Sequence, residues 1–158
     1  MLTIERLKEK VSYDPETGNW TLLQSHHTKL VGKPVGHRGS NGYFYVHIDG
    51  KQYLAHRLAV FYMTGEWPPQ VDHKHFDTCD NRWNEIRTCT QGQNQQHRGK
   101  LRNNTSGYKG VCSDGNRHSA SIAFDNQRIH LGTFDSAEEA AAAYNNAARV
   151  YHGEFAHS

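Results

Sequence analysis

The sequence predicts an α+β protein built as two small sheet-and-helix units in tandem. Three observations predict it. Tyr43 to Ile48 and Lys51 to Leu54 flank Asp49-Gly50 and lead into a run with helical periodicity. Tyr108 to Phe134 holds three further short strand patterns, followed by an alanine-rich helical pattern. Between the two, Lys100 to Gly107 is polar, rich in turn formers and short of large apolar side chains, which is the texture of a linker.

The elements follow in order along the chain. Residues 1–66 read as an extended region followed by a helix. Tyr13-Asp14-Pro15-Glu16-Thr17-Gly18 is turn chemistry, because Pro presets φ and Gly accepts a positive φ. Asp49-Gly50 is a residue pair that a type I′ hairpin turn prefers. Ala55, Leu58, Ala59 and Tyr62 then recur at helical spacing until Gly65, a C-terminal cap. Val71-Asp72-His73 ends a strand, Asn81 to Arg87 forms a second extended stretch, and Thr90-Gln91-Gly92-Gln93 has the spacing of a capping box that opens a helix.

Beyond the linker come strands at Tyr108 to Cys112, His118 to Phe124 and Arg128 to Phe134, with turns at Gly115-Asn116 and Asp125-Asn126. On the second, Ala120, Ile122 and Phe124 share a face, which should meet a helix. That helix opens at Asp135-Ser136-Ala137-Glu138-Glu139, with a capping residue and acids at the positive end of its dipole, and runs to about His152.

At 158 residues the chain has room for one large domain or two small ones. With 35% hydrophobic and 22% charged residues, and three Trp, eight Tyr and six Phe, wholesale disorder is excluded. No apolar run is long enough to span a bilayer, and the N-terminus lacks an export pattern, so a cytoplasmic protein without membrane contact is expected. Cys79, Cys89 and Cys112 are odd in number and irregular in spacing, as free thiols in a reducing compartment would be. The net charge of +2 says little, but between Glu85 and Asp114 there is no acid, while Arg87, Arg98, Lys100, Arg102 and Lys109 all fall inside. Such a stretch suits phosphate.

Asp72 beside His73, with Asn94 about one turn into the helix begun at Thr90, brings hard oxygen donors and an imidazole within reach of one another. A carboxylate and an amide oxygen suit Mg²⁺, which keeps several waters and uses few protein ligands. A structural zinc site from His75, Cys79 and Cys89 is the rival metal reading, although it lacks paired CxxC spacing.

Leu54-Ala55-His56-Arg57-Leu58-Ala59, Val71-Asp72-His73, Asp80-Asn81-Arg82 and Gln93-Asn94-Gln95-Gln96 together resemble the HNH endonucleases of phages, homing enzymes included, over residues 11 to 98. The resemblance implies a ββα-metal fold that hydrolyses DNA phosphodiesters, with His73 as general base. It also implies that Asp72 and Asn94 hold one divalent metal, Mg²⁺ or Mn²⁺, per active site. The family's Asn-Arg-Ile is commonly followed by Glu-Asn-Leu, whose Asn braces the loop carrying the histidine. Here the order is Asn84-Glu85-Ile86, which leaves Asn81 or Asn84 to brace it.

Ser106-Gly107-Tyr108-Lys109-Gly110-Val111, Ile129-His130-Leu131-Gly132-Thr133-Phe134 and Ala137-Glu138-Glu139-Ala140-Ala141 with Ala143-Tyr144 resemble the plant Apetala/ethylene-response-factor domain. That resemblance implies a sheet lying in the major groove. Lys109, Arg117, Arg128 and His130 match positions at or beside the DNA-facing residues, and Arg98, Lys100 and Arg102 would track phosphates between the modules.

The expectation is therefore a metal-dependent DNA endonuclease of the phage homing type, acting in the host cytoplasm on double-stranded DNA as a monomer or weak dimer. Its nuclease domain spans residues 1–99, with the ββα core at about 68–98, the basic linker 100–106 and the DNA-binding module 107–158. The alternative is a non-cleaving, regulatory DNA-binding protein whose nuclease site has decayed.

Overall fold

Thr3 opens the first helix by accepting the N–H of Arg6 on its hydroxyl (3.2 Å), and α1 (Ile4–Lys10) follows with Leu7 buried beneath it. The sequence reading has no helix here. Seven residues are too few for periodicity to register, and α1 depends on its cap, on Leu7 and on the Arg6 guanidinium, which bonds Asp49 and Glu9.

The computed structural model describes residues 2–97, 99, 104–125 and 127–156. It is a mixed α/β chain with several small sheets and, among the described residues, four α-helices. Contacts gather it into two units, 1–90 and 91–158.

In the first unit β1 (Val11–Tyr13) pairs antiparallel with β2 (Trp20–Leu22). A second sheet runs in the order β3 (His37–Arg38), β4 (Phe44–Ile48), β5 (Lys51–Leu54). Asp49 and Gly50 close its hairpin with φ of +48° and +74°, the double positive that a type I′ turn requires. Helix α2 (Ala55–Thr64) ends where Gly65 caps it at φ +78°. The third sheet is β6 (Gln70–His73) with β7 (Ile86–Cys89). Of residues 81–85, expected to be extended, none pairs as a strand and 83–85 form a turn: Glu85 N–H bonds the Arg82 carbonyl at 3.0 Å, so only Ile86–Cys89 remain to pair. Leu7, Val11, Trp20, Val46 and Leu58 form the centre of this unit's core, and burying such side chains stabilises by about 1.5–3 kcal/mol each.

The second unit begins with α3 (Gln91–His97) and continues with β8 (Val111–Asp114), β9 (Arg117–Phe124), β10 (Gln127–Phe134) and α4 (Ala137–Tyr151). The sheet order is β10-β9-β8, all antiparallel. The first strand starts three residues later than expected, because Asn104 and Ser106 side chains bond the Tyr108 and Val111 carbonyls and hold residues 106–110 in bends and a turn. Ser136 caps α4 by accepting Glu139 N–H at 3.2 Å. Ala120 meets Ala140 and Ala141, and Ile122 meets Tyr144 and Ala148. Phe124, expected on the same buried face, lies at the open end of the strand, 39% exposed with its ring 5.2 Å from that of Tyr151.

Candidate active site

Strand β6 stops at His73, and that ending decides the chemistry. Adjacent strand residues point to opposite faces, so Asp72 and His73 can serve one locality only at a strand end. Both are buried. Arg87 lies opposite Asp72 in the ladder and donates to its Oδ2 from Nε (3.1 Å) and Nη2 (2.8 Å). A carboxylate inside the protein thereby keeps its charge compensated.

The loop from Lys74 to Glu85 is fastened from several sides. Lys74 N–H donates to the Glu85 carbonyl (2.9 Å), Phe76 N–H to the His73 carbonyl (3.3 Å), and His75 Nδ1 to Glu85 Oε2 (2.5 Å). Asn81 is buried within it. Its Nδ2 donates to the Cys79 carbonyl (3.0 Å), which turns Oδ1 toward His73 Nε2 at 3.5 Å.

The turn at residues 13–18 grips the same segment from outside. Tyr13 hydroxyl donates to the Asn81 carbonyl (2.6 Å), and Trp83 N–H donates to the Pro15 carbonyl (2.9 Å). Gly18, at φ +74°, comes so close that a Cβ there would stand 2.6 Å from the Arg82 nitrogen. The sequence signalled the turn but not what it would touch.

Two rings enclose the His73 imidazole. His56, from the first turn of α2, meets it edge-to-face with centroids 4.7 Å apart, and Tyr43 stands 6.2 Å from His73 and 5.4 Å from His56. Burial is the main reason that His73 is pushed below the usual histidine range, against the opposing pull of Asn81, Asp72, Asp77 and Asp80. Its imidazole is therefore neutral at neutral pH, the form that accepts a proton. Burial, then His73 and Arg57, push His56 down to about 3.

Of the two asparagines left open by the sequence, Asn81 reaches His73, whereas Asn84 is exposed and offers its carbonyl to Lys74 Nζ (2.7 Å). Asn94 sits on α3, in the second unit. Arg98, Lys100 and Arg102 lie outside the described residues. Arg117, Arg128 and His130 are exposed on the outward side of β9 and β10, with Arg128 Nε donating to Ser121 Oγ (2.9 Å). Lys109 does not join them. Its ammonium donates to the Gln96 carbonyl (2.5 Å) and stands 6.0 Å from the Tyr144 ring centre, and burial pushes its pKa down to about 8.

Asp72 and Asn94 each carry a hard oxygen donor of the kind Mg²⁺ takes. The zinc alternative does not assemble. His75 pairs with Glu85, Cys79 Sγ donates to the Gly42 carbonyl (3.1 Å), and among the described residues no three His, Cys, Asp or Glu side chains are placed to hold a metal.

Comparison with known proteins matches residues 53–96 to the family model for HNH endonuclease. An HNH endonuclease domain is thus supported at residues 53–96. That HNH stretch contains His56, Asp72, His73, Asn81, Asn84 and Asn94. The chain is also similar to an AP2/ERF and B3 domain-containing transcription factor of Arabidopsis thaliana, 56% identical over 45 residues. That match covers 28% of this chain and 13% of the plant protein. No solved structure matches the chain. Among the described residues, no helix is long and apolar enough to cross a membrane.

Proposed function

We propose that the protein is a metal-dependent DNA endonuclease in which His73 is the general base. The observation that carries this reading is the buried, neutral His73 at the end of β6, beside Asp72 and facing Asn81, inside the HNH stretch. Because the Asn81 amide presents an oxygen to His73, Nε2 carries the ring proton and Nδ1 keeps the lone pair. Nδ1 takes the proton of a water that attacks the phosphate, and the 3′-oxygen leaves. The family resemblance implies that Asp72 and Asn94 would hold one Mg²⁺ or Mn²⁺, whose chemistry would be to stabilise the charge that develops on the phosphate.

Residues 107–158 would hold the same duplex through Arg117, Arg128 and His130, supported by the sheet-and-helix arrangement and the likeness to an AP2/ERF-named protein. Tethering raises the local concentration of a small catalytic domain on its DNA. The phage homing role, the host cytoplasm and a monomeric or weakly dimeric state belong to the same reading and rest on the family resemblance.

The test is nicking of supercoiled plasmid by the full chain with Mg²⁺, Mn²⁺ or EDTA. The wild type should cut, EDTA should stop it, and His73→Ala should cut about 10²–10⁴-fold more slowly. Tight duplex binding without cutting in any metal would replace the nuclease with a non-cleaving DNA-binding protein.

A further inference from the structure

Glu85 stands where the family resemblance leads one to expect a bracing asparagine, and it touches the loop twice. The β6–β7 ladder ends at His73 opposite Ile86. One residue further on, the Glu85 carbonyl accepts Lys74 N–H at 2.9 Å, and two residues further on its carboxylate accepts His75 Nδ1–H at 2.5 Å. The Glu85 side chain is 16% exposed and that of His75 78%, so the carboxylate is largely buried and its imidazole partner largely open to solvent.

The residue after His75 makes this clamp matter. Phe76 adopts φ +63°, in the left-handed region that a bulky side chain avoids, and its N–H bonds the carbonyl of His73. Strained backbone of this kind persists only where its neighbours over-determine it. Here the neighbour on one side is clamped by Glu85, and the strained residue itself is bonded to His73. The Asn84 side chain is exposed, and that residue meets the loop only by offering its backbone carbonyl to Lys74 Nζ.

We propose that Glu85, through the hold of its carboxylate on His75, is a positioning residue that keeps His73 in its working orientation. The proposal rests on the reading of His73 as general base. With His75 itself 78% exposed, the pair adds little to global stability, whereas small displacements of a reacting group cost rate steeply. Removing the clamp should therefore lower turnover far more than it lowers the melting temperature.

The experiment measures plasmid nicking by the full chain with Mg²⁺ for wild type, Glu85→Ala, Glu85→Gln, His75→Ala and the His75→Ala/Glu85→Ala pair. Glu85→Ala should lose about 10–100-fold in kcat with KM within about twofold. Glu85→Gln, whose amide oxygen still accepts from His75, should recover most of that loss. The double variant should be no slower than Glu85→Ala, because the two residues act as one unit. Wild-type kcat in Glu85→Ala, no recovery in Glu85→Gln, or additive losses in the pair would each overturn the proposal. Hydrogen exchange gives a readout independent of cleavage: the Phe76 amide should lose protection in Glu85→Ala, while the Lys74 amide, whose acceptor is the Glu85 backbone carbonyl, and those of β6 and β7 keep it. If the wild type nicks no duplex, the nuclease reading fails by itself. The clamp then stands or falls on exchange, and unchanged protection overturns it.

Discussion

His56 and His73 meet edge-to-face with ring centroids 4.7 Å apart, so a buried neutral histidine forms one wall of the proposed general base. Among the described residues His56 Nδ1 has no hydrogen-bond partner, which makes this wall costly to build and sensitive to acid.

Acid should therefore weaken the first unit through His56. In the unfolded chain this imidazole takes a proton near pH 6.5, in the folded chain only at about 3. Between those values the unfolded state binds more protons, so stability rises with pH. It is complete above about pH 6.5 and is lost as pH falls toward 3, at up to about 1.4 kcal/mol per pH unit. Urea unfolding at pH 7 and pH 5 should show this dependence in the wild type and a shallower one in His56→Leu. Identical slopes would remove His56 from the account.

Asn81 should set the tautomer of His73. Nitrogen-15 spectra of the imidazole at neutral pH are expected to show the proton on Nε2, and Asn81→Ala should mix the two tautomers. A wild-type ring protonated on Nδ1 would contradict the assignment of Nδ1 as the basic nitrogen.

Gly18 should tolerate no side chain. Alanine would place its Cβ 2.6 Å from the backbone of Asn81 and Arg82, at a φ of +74°. Strain and overpacking together should destabilise the first unit by about 2–4 kcal/mol. Because the atoms displaced carry Asn81, nicking should fall even at temperatures where the variant remains folded. Thermal unfolding alongside nicking at 15 °C or below, taken as roughly safe given the size of the expected shift, would separate the two effects.

Lys109 and Arg128 should behave differently toward DNA. Lys109 is turned to the Gln96 carbonyl, while Arg128 is exposed on the outward sheet face. Removing one phosphate contact lowers the salt slope of duplex binding by about 0.9. Arg128→Gln is thus expected to lower it by about that amount and Lys109→Met to leave it unchanged. A reduced slope in Lys109→Met would place its ammonium on the phosphates.

The sequence by itself determined the local pieces of this protein. The Asp49-Gly50 turn, the Gly65 cap on α2, the Ser136 cap on α4 and the inward alternation of Ala120 and Ile122 all depend on residues a few positions apart, whose propensities add without help from elsewhere. Asp72-His73 was legible for the same reason, as two adjacent residues at a strand end. Only the tertiary structure decided what surrounds them. Tyr13, Pro15 and Gly18 hold Asn81 to Trp83 from about 65 positions away, Tyr43 and His56 box the His73 ring, and Lys109 turns inward. Such contacts leave no period or spacing in a sequence, because they are set by which surfaces the buried core brings together, and that choice belongs to the whole first unit or the whole second one.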